Sequence, residues 1–252
     1  VVSVLDGKLI DFDGHMARLA RSLDALSING VMGRDAWLAL FRQLVSANGL
    51  YEGLIYLQVT RGDPGDRSFF WPAETTPPTI VAFTQAVPLV ETNAIQNGIS
   101  VVTLPDLRWG RADIKTTQLL YASMMKMEAK ATGADDAWLL RGDKVSEGTS
   151  QNAHIISGDG VLITHPLDRQ ILHGITRVSM LDLARDLSLA IEERAFSVAE
   201  AEEAQEAFVS AASAFVTPVV KINGRQIGDG APGPITMRLR AAYVDWARGN
   251  AI

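Results

Sequence analysis

The sequence predicts a mixed α+β protein of two domains, a small one over residues 1–86 and a larger, barrel-like one over residues 98–252, joined by a linker at 87–97. Three observations predict this division. The chain opens with a hairpin signal and two amphipathic helices, apolar strand-like runs follow, and beyond the linker short strands recur between tight turns and helices. With 252 residues and 47% hydrophobic composition, the chain is long enough to bury such cores.

The small domain begins with Asp6-Gly7, a dipeptide typical of hairpin turns, between two apolar stretches. Apolar residues then return at helical spacing over 15–26 and 34–48, which predicts two helices. Apolar runs at 54–60 and 79–84 predict strands on either side of a loop that contains glycine and proline. We therefore expect a small α+β layer that ends near Ala86.

The larger domain combines short strands with longer helices. Its predicted strands are 99–103, 137–140, 153–157 and 161–164, and their spacing is typical of a barrel-like or a sandwich sheet. Its predicted helices are 116–131, 176–187 and 234–247. A further short helix should follow Ser197, because Glu200 stands three residues later and completes a capping box.

Composition and charge exclude several classes of function. A net charge of −6 opposes attraction to nucleic acids and anionic membranes, and no apolar run is long enough to span a bilayer. The absence of cysteine excludes disulfides and thiolate metal sites, and the histidines lack metal-ligand spacing. We expect a soluble, cytoplasmic protein without a metal. Because Val1–Leu5 reads as a strand already under way, we also expect that the front of the protein is missing.

Lys115 is the first residue that could carry chemistry. It follows two arginines and precedes a predicted apolar helix that would bury Leu119, Leu120 and Met124. Burial and nearby cations lower the pKa of an amine and make it nucleophilic. The alternative from local composition is a solvated lysine at a helix start.

Two other segments suggest the binding of a charged small molecule. Glu147 is a lone carboxylate in a small, hydroxyl-rich segment at 146–152, predicted to be a loop, where it could hold a protonated ring nitrogen or simply lie in a surface turn. Thr176 stands at a predicted helix start, where free N–H groups favour a phosphate, although ordinary capping is commoner. Arg18, in the first helix, is either a second phosphate clamp or a solvent-facing residue.

Taken in order, four motifs resemble those of the class IV aminotransferases, the fold-type IV group of pyridoxal-phosphate enzymes. They are H-x-x-R-L at Arg18, D-I-K-T at Lys115, S-E-G-x-x-x-N at Glu147 and G-I-T-R at Thr176. The likeness spans nearly the whole chain and is strongest to the bacterial branch that acts on D-amino acids. It implies a small α/β sandwich domain, a larger pseudo-barrel domain and a homodimer.

The resemblance also implies the roles of individual residues toward pyridoxal 5'-phosphate. Lys115 matches the lysine that forms a Schiff base with the cofactor and moves the substrate proton. Glu147 matches the acid that pairs with the pyridinium nitrogen. Arg18, Ile175 and Thr176 match the residues that bind the phosphate group.

Other matches are less complete. Arg108 corresponds to an arginine near the cofactor in the D-amino-acid branch. Where the family offers phosphate-binding hydroxyls this chain has alanines, among them Ala212, so Ser213 is the candidate substitute. Arg67 and Ser3 occupy substrate-binding positions, but Ser3 replaces a lysine. The family also carries about thirty more residues ahead of position 1, including an active-site tyrosine.

The implied activity is transamination between an amino acid and a 2-oxo acid. D-Alanine or D-glutamate is the expected donor, with pyruvate or 2-oxoglutarate as the exchange partner. Aminodeoxychorismate lyase, a branched-chain L-amino-acid aminotransferase and an inactive relative that retains only the fold are the alternatives.

Overall fold

The computed structural model describes residues 1–252 and divides them into two compact units. Unit 1 contains Val1–Pro88 and Ala247–Ile252, and unit 2 contains Leu89–Trp246. The boundary lies inside the predicted linker segment, and the last six residues belong to unit 1. No helix has the length and apolar character needed to cross a membrane.

Unit 1 is built on a four-stranded antiparallel sheet in the order β2-β1-β3-β4. Its strands are β1 (Val2–Leu5), β2 (Lys8–Leu9), β3 (Gly53–Thr60) and β4 (Thr79–Ala86), and its helices are α1 (Phe12–Ala25) and α2 (Arg34–Ala47). Asp6 and Gly7 both have positive φ, at 53° and 72°, as a two-residue hairpin requires. The predicted hairpin is therefore confirmed.

Residues from both ends of the sequence complete unit 1. Leu9 and Ile252 exchange two backbone hydrogen bonds, at 2.9 and 3.1 Å. Arg248 forms an ion pair with Asp6 at 3.2 Å. Aromatic side chains fill the core beside the sheet, where Phe41 meets Phe12 edge to face at 5.9 Å between ring centroids.

Unit 2 contains the remaining elements. Its strands are β5 (Ile99–Pro105), β6 (Asp136–Arg141), β7 (Lys144–Gly148), β8 (Asn152–Ile156), β9 (Leu162–Thr164), β10 (Ile191–Glu193), β11 (Glu206–Ala211), β12 (Phe215–Ile222) and β13 (Arg225–Gln226). Its helices are α3 (Asn93–Asn97), α4 (Leu120–Ala131), α5 (Ile175–Asp186) and α6 (Val198–Glu202); α7 (Pro234–Asn250) begins in unit 2 and ends in unit 1.

The nine strands of unit 2 form one mixed sheet in the order β10-β9-β8-β11-β12-β5-β6-β7, with β13 paired to β12. The pairs β5–β6, β5–β12 and β9–β10 are parallel and the others antiparallel. β7 lies at one end of this order, yet only three residues join it to β8, and Gly148 N donates to Gln151 O at 2.8 Å across that turn. The sheet must therefore curl, which confirms the barrel-like α+β prediction.

The core of unit 2 lies inside the curl. Trp138 and Phe196 meet edge to face at 5.8 Å between ring centroids. Phe196 precedes the short helix α6, whose predicted capping box is present: Glu200 N donates to Ser197 Oγ at 3.1 Å, and Ser197 N donates to Glu200 Oε2 at 2.8 Å.

Several sequence predictions for unit 2 were wrong. Helix α4 begins at Leu120 instead of residue 116, so Lys115 lies in the loop before it. Leu119, Leu120 and Met124 are exposed at 58%, 76% and 53%, because the buried face of α4 carries Met125 and Ala129. Residues 93–97, predicted as linker, form a helix.

Candidate functional site

Glu147 is a buried carboxylate in β7, which corrects its predicted place in a loop. Three donors surround it. Arg108 Nη1 lies 2.6 Å from Oε1, Asn152 Nδ2 lies 2.9 Å from Oε2, and Leu172 N lies 3.1 Å from both oxygens. Burial raises the pKa of Glu147 to about 7, although the charge and hydrogen bond of Arg108 act in the opposite direction. The Leu172 N–H is shared between the two oxygens, so Oε1 and Oε2 each accept one full hydrogen bond and part of a third.

Arg108 is shared between Glu147 and a second carboxylate. Its Nε and Nη2 donate to Oδ1 and Oδ2 of Asp106, each at 2.9 Å. Asp106 also accepts from Arg141 Nε and from the Ser146 hydroxyl, both at 3.0 Å. Burial alone would raise the pKa of Asp106, but the bonds and charge of Arg108, with Arg141, outweigh it and lower that pKa to about 2.

Asn152 connects Glu147 to the start of α5. Its Nδ2 donates both to Glu147 Oε2 and to Leu172 O, each at 2.9 Å. A Cβ atom placed on Gly174 would overlap Asn152 Oδ1. Only glycine therefore allows the backbone to approach this amide, which fixes the entry of the chain into α5.

The first turn of α5 has the features of an anion site. Gly174 is the N-cap, and no side chain caps the helix. Thr176 is buried, and its hydroxyl has no hydrogen-bond partner. Ile175, beside it, is half-buried. The helix dipole, the N–H groups of the first turn and an unpaired hydroxyl together fit a phosphate group.

Lys115 is exposed in the segment between β5 and α4. The residues before it are held in place, since Ala112 N donates to Arg169 O at 2.9 Å and Arg111 forms a two-bonded ion pair with Asp113. Arg169 belongs to the loop that continues through Leu172 into α5. The same loop therefore anchors the segment of Lys115 and donates to Glu147.

Ser213 is exposed in the turn between β11 and β12. With Lys126, Gln151 and Thr217 it lines an open pocket of about 250 Å³. Its neighbour Ala214 accepts a hydrogen bond from Thr217 Oγ1 at 3.0 Å.

The other three candidates lie in unit 1. Arg18 is buried, so the solvent-facing alternative was wrong, and burial followed by the charge of Arg21 lowers its pKa to about 10. Ser3 is buried in β1. Arg67 is exposed, and its guanidinium lies 4.7 Å from the centre of the Phe69 ring.

The structure thus joins Arg108 directly to Glu147, and Asn152 ties this pair to Ile175 and Thr176. Sequence reasoning missed Asp106 as a partner, although the spacing D-x-R places a carboxylate within reach of Arg108. It named Asn152 only as the last letter of a motif.

His154 lies in β8, two residues after Asn152. The ring is fully buried in β8, stacks on Phe208 at 4.7 Å between centroids, and places Nε2 2.8 Å from Ser210 Oγ. Burial, followed by the charge of Arg177, lowers the pKa of His154 well below its usual value. The residue is therefore a neutral cross-strand partner.

Gly174→Ala should destabilise unit 2, because the added methyl group has to displace the Asn152 amide. We expect a loss of about 1–3 kcal/mol in the free energy of unfolding, as for other overpacked sites. Urea unfolding measures it. Gly249→Ala, at a helical position with open space around it, is the control and should be neutral or stabilising. In an Asn152→Ala background, Gly174→Ala should no longer lower the free energy of unfolding by this amount. An equal loss there would show that the Asn152 amide does not obstruct the added methyl group.

Comparisons with known proteins give the family. Residues 1–222 match the pattern of the family described as amino-transferase class IV. The chain is 36% identical to the D-alanine aminotransferase of Staphylococcus aureus strain N315 over 251 residues, which cover 100% of this chain and 88% of that protein. It is 38% identical to the D-alanine aminotransferase of Bacillus licheniformis over 242 residues, 96% of this chain and 84% of that protein.

Solved structures agree on the fold. A branched-chain amino acid aminotransferase of Escherichia coli superposes with a TM-score of 0.90 at 24% identity and covers 100% of this chain and 85% of its own. A putative 4-amino-4-deoxychorismate lyase of Legionella pneumophila gives 0.82 at 22% identity and covers 94% and 86%. These two likenesses show the fold alone. The match over residues 1–222, with relatives more than a third identical along the chain, establishes that this protein belongs to the class IV aminotransferases.

Proposed function

We propose that this aminotransferase uses pyridoxal 5'-phosphate to exchange an amino group between a D-amino acid, such as D-alanine or D-glutamate, and a 2-oxo acid. The observation that supports the cofactor most strongly is Glu147, a buried carboxylate that Arg108, Asn152 and Leu172 hold in place close to the start of α5. The names of the relatives at 36–38% identity support the D-amino acid. We also propose that the protein is cytoplasmic, where it would have access to both substrates.

Glu147 is the proposed partner of the cofactor's ring nitrogen. Pyridoxal phosphate, when bound, supplies a protonated ring that accepts electrons from the bond broken at the substrate Cα. Glu147 Oε2 carries only the Asn152 donor and a share of the Leu172 N–H, so it can accept a ring N–H. In its ionised form Glu147 would stabilise the positive charge of a protonated ring nitrogen.

The start of α5 is the proposed binding site of the phosphate group. The buried, unpaired hydroxyl of Thr176 supplies one donor, and the N–H groups of Ile175 and Thr176 supply others. For Arg18 and Ser213 a phosphate role rests on the sequence motif, as does the placing of Arg67 and Ser3 at the substrate.

Lys115 is the proposed reactive amine. It would bind the cofactor covalently. Once released from that bond, the amine would take the proton from the substrate Cα and deliver it to the cofactor carbon. Lys115 is exposed, so its amine is accessible to a ligand. The contacts of Ala112 and Asp113 hold the backbone of the preceding residues in place. Arg108, which contacts Glu147, acts on the ring through that carboxylate.

We also propose a homodimer that covers an apolar face of unit 2. This face is formed by Leu120, Met124 and Met127, which are exposed and lie on one side of α4 because they are four and three residues apart. Large exposed apolar patches mark interaction surfaces. A second copy of the chain is the occupant that the family resemblance implies.

The substrate is tested by incubating the purified protein with pyridoxal phosphate, D-alanine and 2-oxoglutarate, and measuring pyruvate and D-glutamate. We expect both products to form in equal amounts, and L-leucine to be a poor donor. L-Leucine as the better donor would favour a branched-chain enzyme. Release of pyruvate from aminodeoxychorismate without an acceptor would favour the lyase.

Lys115→Ala should abolish both the visible absorbance of the bound cofactor and turnover. We expect a loss of at least about 10³-fold in kcat, since the amine serves as nucleophile and as proton carrier. Lys130→Ala, at an exposed position on α4, is the control and should keep both signals. An unchanged spectrum in Lys115→Ala would remove this lysine from the site.

Leu120→Glu should convert a dimer into monomers, because it places a charge in the apolar face. Light scattering after size-exclusion chromatography measures the mass. Val178→Glu, an exposed apolar position on α5, is the matched control and should stay dimeric. A wild-type protein that elutes as a monomer would contradict the dimer.

A further inference from the structure

Arg108 divides its hydrogen bonds unequally between two buried carboxylates. Its Nε, its Nη2 and its backbone N–H all donate to Asp106, at 2.9, 2.9 and 3.1 Å. Nη1 makes the 2.6 Å contact with Glu147. The planar guanidinium cannot rotate while Asp106 holds two of its nitrogens, so Asp106 dictates where Nη1 points.

Asp106 is itself fixed by the strands around Glu147. Arg141 in β6 and Ser146 in β7, the residue next to Glu147, each donate to Oδ2 at 3.0 Å. The Asp106 side chain is fully buried. The anchor of Arg108 therefore moves only if the sheet moves.

Charge balance gives Asp106 a second effect. Arg108 and Arg141 bring two positive charges to Asp106 and Glu147, which bring two negative ones. The other elements packed on Glu147 contribute the neutral Asn152 and the Leu172 N–H. Without Asp106, the charge of Arg108 at Glu147 would no longer be offset, and Glu147 would release its proton more readily.

We propose that Asp106 is a positioning residue that, through Arg108, sets how strongly Glu147 holds a proton. It directs Nη1 to Glu147 Oε1, which leaves Oε2 for a ligand, and it balances the cationic charge beside the carboxylate. Its catalytic consequence rests on the proposed function, in which Glu147 meets the cofactor's ring nitrogen.

The pKa shifts of the cluster agree with this arrangement. Burial raises the pKa of Glu147 to about 7, Arg108 opposes that rise, and the charge of Asp106 adds to it. Because Arg108 and Arg141 outweigh burial and lower the pKa of Asp106 to about 2, its charge is constant at any working pH. Asp106 thus acts as a fixed charge, and Glu147 is the group that titrates.

The test measures the titration of Glu147 in the protein without cofactor, by ¹³C NMR of labelled glutamate carboxyls, with Glu147→Gln to assign the signal. Asp106→Asn keeps the shape and removes the charge, so we expect the midpoint of Glu147 to fall by about one pH unit or more. Asp143→Asn, an exposed aspartate in the turn between β6 and β7, removes the same charge away from Arg108 and should leave the midpoint unchanged.

Two further variants keep the test decisive if Asp106→Asn does not fold. Arg108→Gln removes the cation that contacts Glu147, so it should raise the midpoint of Glu147. Arg141→Gln removes a cation that offsets the charge of Asp106, so the effect of Asp106 on Glu147 should grow and the midpoint should rise as well. General loosening of the fold would shift the midpoint of Glu147 in the same direction in every variant. Opposite shifts in the aspartate and arginine variants would therefore exclude it. A midpoint of Glu147 that stays unchanged in the folded variants would overturn the proposal.

Kinetics with D-alanine extend the test to the loaded enzyme. Asp106→Asn should lower kcat about tenfold and leave KM within about twofold, because it alters the reacting complex more than substrate binding. An equal loss in Asp143→Asn would count against a specific role. If the wild-type protein binds no pyridoxal phosphate, the proposed function fails, while the NMR shift still decides the role of Asp106.

Discussion

The buried carboxylate of Glu147 is the constraint on which the larger unit depends. A charge withdrawn from water is costly unless several donors replace its hydration. Here they come from segments far apart in sequence: Arg108 follows β5, Asn152 begins β8 and Leu172 precedes α5. The curled sheet brings these three donors together at Glu147. The fold of unit 2 therefore supplies the hydrogen bonds that replace the hydration of this carboxylate.

Much of the fold could be predicted because its signals are local. The Asp6-Gly7 turn and the Ser197–Glu200 capping box depend on residues that are neighbours in the chain, and both are present. The spacing of the strands predicted a barrel-like or a sandwich sheet for the larger domain, and the family resemblance indicated the barrel. The site residues came from motif order, which reports family membership, whereas their contacts depend on the three-dimensional arrangement.

What could not be predicted has physical reasons. Apolar spacing does not tell whether a helix face meets the sheet or another surface, so the exposed Leu120 and Met124 looked like core residues. Glu147 was taken for a loop residue because small hydroxyl-bearing neighbours follow it, yet pairing with β6 keeps it in a strand. The ion pair of Arg108 and Glu147 joins residues 39 positions apart, and no local pattern specifies it.

The closure of unit 1 by residues 247–252 has a consequence for biosynthesis. Leu9 bonds to Ile252, and Asp6 pairs with Arg248 across 242 positions. A ribosome delivers the chain from the amino end at about 5–20 residues per second, and domains tend to fold as they emerge. All of Leu89–Trp246 is made before these partners of Leu9 and Asp6 exist. Of the two units, the one that is synthesised first is therefore completed last, and the edge of its sheet at β2 stays uncovered until residues 247–252 have been made.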